Sequence, residues 1–473
     1  MPSIHVLIIL VGLLLGRDLA SARGTTEHAP AWQFFVVVGW TVLVAVVALV
    51  ALPACAKGAA YRGSWRLLQR GLGLAEKLRW LVVLPFASWS IAVDGVGAVE
   101  ALVGSWIGLD EIIAASPPLL ALLAIAWAEH PLHDRMRQAM LVRDLDSGAV
   151  VERPPTRWET TIGRARTMLA MPLVPVLLIV CWHETVQSLL ATRPEWLWRS
   201  IDIAGTLGIV AFAPAMIVRI LGTRPLDAGQ ASRRINELSH RMGARITGVR
   251  LWAHPSANAA ILGLLPWARY MLVTEPLLRG MPQRELDAVV AHELAHVRQH
   301  HVLWIVLAVL AAVLALGLLE PMLTAMATSV GVTRGLAELS SLLIVATFAI
   351  LAFGSISRLI ERHADARAAV AIDLEQAAAT GHAHDVVHGI GPDAMAAALD
   401  RVCALNGVDP RRWGFRHGSV RQRQRALSKL VGMATAGLPI DRSVKRLRAA
   451  TVLTLATMGS LTLVGLWLGW FVV

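Results

Sequence analysis

The stretch AHELAHVRQHH at positions 291–301 runs without a break into VLWIVLAVLAAVLALGLL at 302–319. Upstream, in MPQRELDAVVAHELAHVRQHH, Pro282 marks a helix start, and Leu286, Val289, Val290 and Leu294 recur at helical spacing as one apolar face. The second run carries no charge and is long enough to enter lipid as a helix. A polar helix bearing two histidines and a glutamate therefore stands at the mouth of a membrane span, and this placement governs the reading of the whole chain.

Of 473 residues, 56% are hydrophobic and only 16% charged, far more apolar than the core of a soluble domain requires. Apolar runs at about 31–55, 80–105, 112–128, 168–190, 201–221, 302–325, 337–356 and 449–473 predict eight spans. Residues 3–16 form a shorter run, followed by RDLASAR, and read either as a signal peptide cleaved after Ala22 or as a short first span. The net charge of +11 falls in the segments between spans, where anionic headgroups attract it. No basic-aromatic stripe or recognition helix appears, so nucleic acid is not an expected partner. Cys55, Cys181 and Cys403 have neither metal-ligand nor redox spacing, and no disulfide is expected.

One register of orientation accounts for the loops. Lys57, Arg62, Arg66, Arg70, Lys77 and Arg79 against Glu76 place 57–79 in the cytoplasm, and alternation then puts 129–167, 222–301 and 357–448 there too. Opposite loops near 106–111, 191–200 and 326–336 are short and poor in cations. The expected organisation is a signal peptide or first span at 1–30 and a multi-span region at 31–221. A cytoplasmic segment at 222–301, a two-span hairpin at 302–356, a second cytoplasmic segment at 357–448 and a final span at 449–473 complete it. The fold class is mainly α, a polytopic membrane helix bundle with a small α+β cytoplasmic domain built from two segments. Within that domain ASRRINELSHRMGA reads as an amphipathic helix, and RITGVRLWA and WARYMLVTE as strands flanking the turn AHPSANA.

His292 and His296 are four apart, which puts both imidazoles on one helix face, where they can bind one zinc ion. Glu293 follows the first histidine, placed to take a proton from water and return it to a leaving amine. A catalytic site needs a third protein ligand. The HExxHxxGxxH extension fails, because Gln299 and Val302 occupy the glycine and ligand positions. His300 and His301 read as interfacial side chains. The hairpin returns the chain to the side it left, which makes Glu361 the third-ligand candidate and Asp365, one turn on, the acceptor that fixes the tautomer of a ligand histidine. A plainer alternative has Glu361 and Asp365 pairing with Arg358, Arg362 and Arg367 on a solvated face.

HELAH at 292–296, a membrane hairpin and SRLIERHAD at 357–365 together resemble the integral-membrane zinc metallopeptidases of the CAAX-prenyl-endopeptidase and HtpX type, which are gluzincins. The similarity covers about 225–430, with Asn258-Ala259, the approach Val273-Thr274-Glu275-Pro276-Leu277-Leu278, and His417 to Arg423 on its flanks. The amino-terminal half departs from the simpler four-span bacterial members. The resemblance implies that His417 and Arg423 act in catalysis, steadying the oxyanion or holding substrate, although RHGSVRQRQR also reads as a basic face meeting headgroups. It also implies that Asn258 binds substrate backbone, where the local reading is an Asx turn. The strand near Arg269–Val273 is expected to offer an edge that an extended peptide joins.

The expected function is that of a zinc endopeptidase acting on membrane or membrane-proximal proteins, with protein or peptide substrates and the bilayer as partners. A signal-transducing metallopeptidase and a non-enzymatic scaffold or transporter are the alternatives. Asp94, Glu100, His183 and Glu184 lie in apolar runs and would mark a transport path, but Glu100, His183 and Glu184 stand towards run ends and no pair of broken helices suggests inverted repeats, which favours packing or chamber-lining roles.

Overall fold

The computed structural model describes residues 5–6, 8–10, 12–13, 30–93, 95–104, 106–146, 155–254, 256–380 and 385–467. Most of the segment read as a signal peptide or first span, Asp94, and the last residues of the final run, 468–473, lie outside the described residues. The chain divides into two compact units, Met1–Leu221 and Gly222–Val473.

The first unit is a helix bundle. Its helices are α1 (Ala31–Arg62), α2 (Trp65–Val93), α3 (Gly95–Val103), α4 (Leu109–Asp146), α5 (Arg157–Arg164), α6 (Met171–Leu190) and α7 (Glu195–Ile220). Helix α1 ends at Gly63, whose φ of 58° is the left-handed conformation glycine adopts without a Cβ penalty. Val44, Ala48 and Leu52 of α1 pack with Val82, Val83 and Phe86 of α2 and with Leu122, Ile125 and Leu132 of α4. A carboxylate inside this bundle requires partners, and Glu129 finds them in Arg79 and Arg164. His183 Nδ1 lies 2.9 Å from Asp202, and Glu184 accepts the Gly108 N–H at 2.7 Å, the packing use expected of these groups.

The second unit opens with a four-stranded sheet in the order β1 (Arg224–Pro225), β2 (Gly248–Trp252), β4 (Tyr270–Thr274), β3 (Ala259–Leu262). β2 and β4 are parallel, and the outer pairs are antiparallel. Both expected strands form, but β4 is hydrogen-bonded on its two sides and is no edge. The outer strand on that side is β3, of which only the first residue, Ala259, lies in the segment read as a turn. Asn258 extends that pairing: its N–H donates to Thr274 Oγ1 at 2.8 Å and its carbonyl accepts from the Thr274 N–H at 3.0 Å.

Helices α8 (Gln230–Arg241), α9 (Glu275–Gly280), α10 (Gln283–Arg298), α14 (Ile390–Leu405) and α15 (Val420–Ser428) share one hydrophobic core with the sheet. Helix α10 starts after Pro282 and buries Leu286, Val290 and Leu294, about 2 kcal/mol each in apolar area removed from water. Between α10 and the rest runs the hairpin: α11 (His301–Gly317), α12 (Glu320–Ser329), and the first half of α13 (Arg334–Thr380). Helix α13 continues unbroken from an apolar stretch into SRLIERHAD and the alanine-rich segment after it. Buried Ala364, Ala366, Ala368 and Ala369 let neighbouring helices come close, and at Gly391 of α14 an added Cβ would fall 1.8 Å from the Ala369 carbonyl oxygen. Helix α16 (Pro439–Trp467) closes the unit.

Six helices among the described residues are long and apolar enough to cross a membrane, or seven when α2 and α3, bent by 80°, count as one broken span.

Candidate metal centre

The hairpin returns α13 alongside α10, and three side chains converge there. One ligand atom each from His292, His296 and Glu361 lie within 4.8 Å of one another. The two Nε2 atoms are 3.2 Å apart, and Glu361 oxygens lie 3.6 Å from His292 Nε2 and 3.9 Å from His296 Nε2. Donors 2.0–2.1 Å from a tetrahedral zinc ion stand about 3.3 Å apart, so this donor set suits zinc, with the carboxylate slightly withdrawn. The rings are held nearly perpendicular, at 75°, as two separate approaches to one point require.

Proton placement supports the same use. Burial alone would lower the pKa of His292, but the acceptors Asp365 and Glu361 outweigh it and lift the ring to about 10. Burial and the adjacent His292 push His296 down to about 3. An incoming cation therefore meets a bare lone pair on His296 and displaces one proton from His292. Glu293 is raised to about 7, first by burial and then by the Glu361 charge, against the pull of His292. A carboxylate poised near neutrality is suited to taking and returning a proton.

Asp365 Oδ1 stands 3.0 Å from His292 Nδ1, the orienting contact expected for it. The same carboxylate accepts two bonds from Arg423, Nε to Oδ2 at 2.7 Å and Nη2 to Oδ1 at 2.5 Å. Arg423 is buried, and its Nη1 lies 3.5 Å from Glu361. Its fork thus holds the two carboxylates that flank His292. Breaking such a buried pair by removing one partner costs on the order of 3–5 kcal/mol, because the other charge is left uncompensated.

His417 reaches the centre from the loop before α15, with Nδ1 3.0 Å from Glu361 Oε1. That loop is closed by reciprocal Gly414–Gly418 backbone bonds of 3.0 and 2.8 Å, with Gly418 at φ 69°. Arg358 secures it by donating to the Phe415 carbonyl at 2.8 Å. Arg367 is committed to Asp441 at 2.6 Å, and Arg362 donates to the Arg358 carbonyl at 3.3 Å. The plainer alternative, with these three arginines neutralising Glu361 and Asp365, is therefore not what forms.

Asn258 sits at the start of β3, whose Ile261 backbone hydrogen-bonds Glu293. The Asn406 amide clamps Ala257 just before it, accepting from its N–H and donating to its carbonyl, both at 2.9 Å. Asn406 gave no sequence signal, since a helix C-terminal asparagine is ordinarily only a cap. Arg269 is buried and donates to the carbonyls of Gly263, Leu264 and Arg245, a structural use.

The sharpest departure concerns the histidines after the motif. His300 takes a left-handed conformation, φ 51°, and its side chain is exposed. His301, expected at the interface, is wholly buried, with Nδ1 3.1 Å from Nδ1 of His296. The backbone turn at His300 starts a new helix axis and swings the next ring inward.

Residues 225–431 match the model of peptidase family M48. A Protease HtpX homolog of Paraburkholderia phytofirmans is 33% identical over 95 residues, 20% of this chain and 33% of that protein. Protease HtpX of Legionella pneumophila is 31% identical over 101 residues, 21% and 36% of the respective lengths. The matched segment spans about a third of these curated relatives. The crystal structure of S. mikatae Ste24p matches over 88% of this chain and 99% of its own, at 14% identity and a TM-score of 0.46. The chain is a multi-pass membrane protein whose second unit is similar to peptidase family M48 and to the HtpX proteases, as its motifs implied.

Proposed function

We propose that the chain is a zinc-dependent endopeptidase that hydrolyses membrane or membrane-proximal proteins, with its centre facing the cytoplasm of a bacterial inner membrane. The observation that carries this reading is the convergence of His292, His296 and Glu361 beside a half-buried Glu293. Orientation rests on the basic loops, which the positive-inside bias keeps cytoplasmic.

His292, His296 and Glu361 would hold the metal, which supplies a Lewis acid that polarises a carbonyl and acidifies water. Glu293 takes the proton of the attacking water and delivers it to the departing amine. The imidazole of His417 faces the centre and donates to the oxygen on which negative charge develops. Arg423 acts through its two carboxylates, keeping Asp365 on His292 and Glu361 beside the metal position, so it serves as a positioning residue. The open edge of β3 accepts an extended peptide as an added strand, with the Asn258 amide free to bond its backbone. Main-chain recognition of this kind tolerates many sequences.

Chelation tests the metal requirement. Detergent-purified protein incubated with an unfolded membrane-protein substrate is expected to lose cleavage when zinc is stripped and to regain it on stoichiometric zinc. Cleavage that persists in zinc-free protein would reject the reading.

A further inference from the structure

His296 is the first link of a buried chain of rings that the metal centre does not account for. From His296 Nδ1 the contacts run 3.1 Å to His301 Nδ1, then 2.8 Å from His301 Nε2 to His363 Nδ1, then 3.0 Å from His363 Nε2 to Asp441 Oδ1. Arg367 completes the array on the second Asp441 oxygen at 2.6 Å. His301, His363 and Asp441 are 0, 3 and 5% exposed, so water does not compete for these bonds. They come from the starts of α11 and α16 and from the middle of α13.

The geometry points to a positioning relay in which Asp441, through His363 and His301, fixes the tautomer and ring plane of the metal ligand His296. This inference rests on the zinc reading of the centre. Its logic is one of hydrogen-bond polarity. A carboxylate only accepts, so His363 must carry its hydrogen on Nε2 and present a lone pair at Nδ1. His301 then donates from Nε2 and accepts at Nδ1. His296 in turn donates from Nδ1, which leaves the lone pair of Nε2 directed at Glu361 and His292 for the metal. The opposite polarity would place a hydrogen on His296 Nε2, deny the ligand, and set the Asp441 carboxylate against a bare lone pair of His363. His292 is oriented by Asp365 directly, whereas His296 is oriented at a distance of two imidazoles. The device ties the start of the last helix to metal loading.

Zinc affinity of the detergent-purified full chain, measured by competition with a chromophoric chelator, tests the relay without recourse to catalysis. His301→Leu removes the acceptor facing His296 and is expected to weaken zinc binding 10–100-fold, the usual scale for an orienting partner. His301→Asn restores an oxygen acceptor at the Nδ1 position and is expected to recover most of that loss, which a purely packing role would not predict. Asp441→Ala, which leaves His296 and His301 untouched, is expected to weaken binding several-fold. Should His301→Leu fail to fold, Asp441→Ala decides. Wild-type affinity in His301→Leu or in Asp441→Ala, or an asparagine variant no better than leucine, would overturn the relay while leaving the zinc site intact. Wild-type protein that takes up no zinc would instead overturn the reading of the centre itself.

Discussion

Glu293→Gln is expected to leave zinc content at the wild-type level and to lower the rate of peptide cleavage by about 10²–10⁴-fold, the range for loss of a positioned acid-base group. The isosteric amide keeps the volume and the neighbours of Glu293 but cannot take up a proton. Burial lifts the native carboxyl to about 7, which matches a group that must both remove and return a proton near neutral pH. Metal analysis and single-turnover cleavage on the same preparation separate the two effects. Retained cleavage would remove Glu293 from the mechanism, whereas lost zinc would show that it helps to hold the metal.

Glu361→Ala carries the second large effect. Its carboxylate supplies the third donor and takes contacts from His417 and Arg423, so its removal leaves only two imidazoles at the centre and takes from the buried Arg423 one of its two carboxylate partners. Zinc stoichiometry after dialysis is expected to fall from near one per chain to near zero, with proteolysis lost in proportion. The loss should exceed the 10–100-fold weakening typical of a partner that only orients a ligand. Full zinc occupancy in this variant would reject Glu361 as a ligand.

Much of this site was legible because its parts obey strong local rules. His292 and His296 at helical spacing share a face whatever surrounds them, and a short hairpin must return SRLIERHAD to the side that HELAH left. Asp365 followed from Glu361 by one helical turn. The relay was not legible, because Asp441 lies 78 residues beyond His363 and no spacing rule connects them. His301 turns inward rather than to the interface for a local reason: its neighbour His300 adopts the left-handed conformation that separates α10 from α11, a break that no proline or glycine announces. The edge expected near Arg269–Val273 falls instead on Ala259–Leu262, because β4 is paired on both sides, with β2 and with β3, and no local pattern in a strand says how many neighbours it will have.

Among the spans, Pro117, Pro118 and Pro131 do not interrupt α4, which runs through all three. The bend of 80° between α2 and α3 falls inside the run read as a single crossing at 80–105. Hydropathy measures length and composition, and a break in direction leaves both unchanged.

Anomalous scattering at the zinc edge from crystals of the full chain grown with one equivalent of zinc tests the central claim most directly. The expected result is a single peak 2.0–2.1 Å from Nε2 of His292, Nε2 of His296 and a carboxylate oxygen of Glu361. A peak that leaves Glu361 out of reach, or zinc held only elsewhere on the chain, would contradict the account.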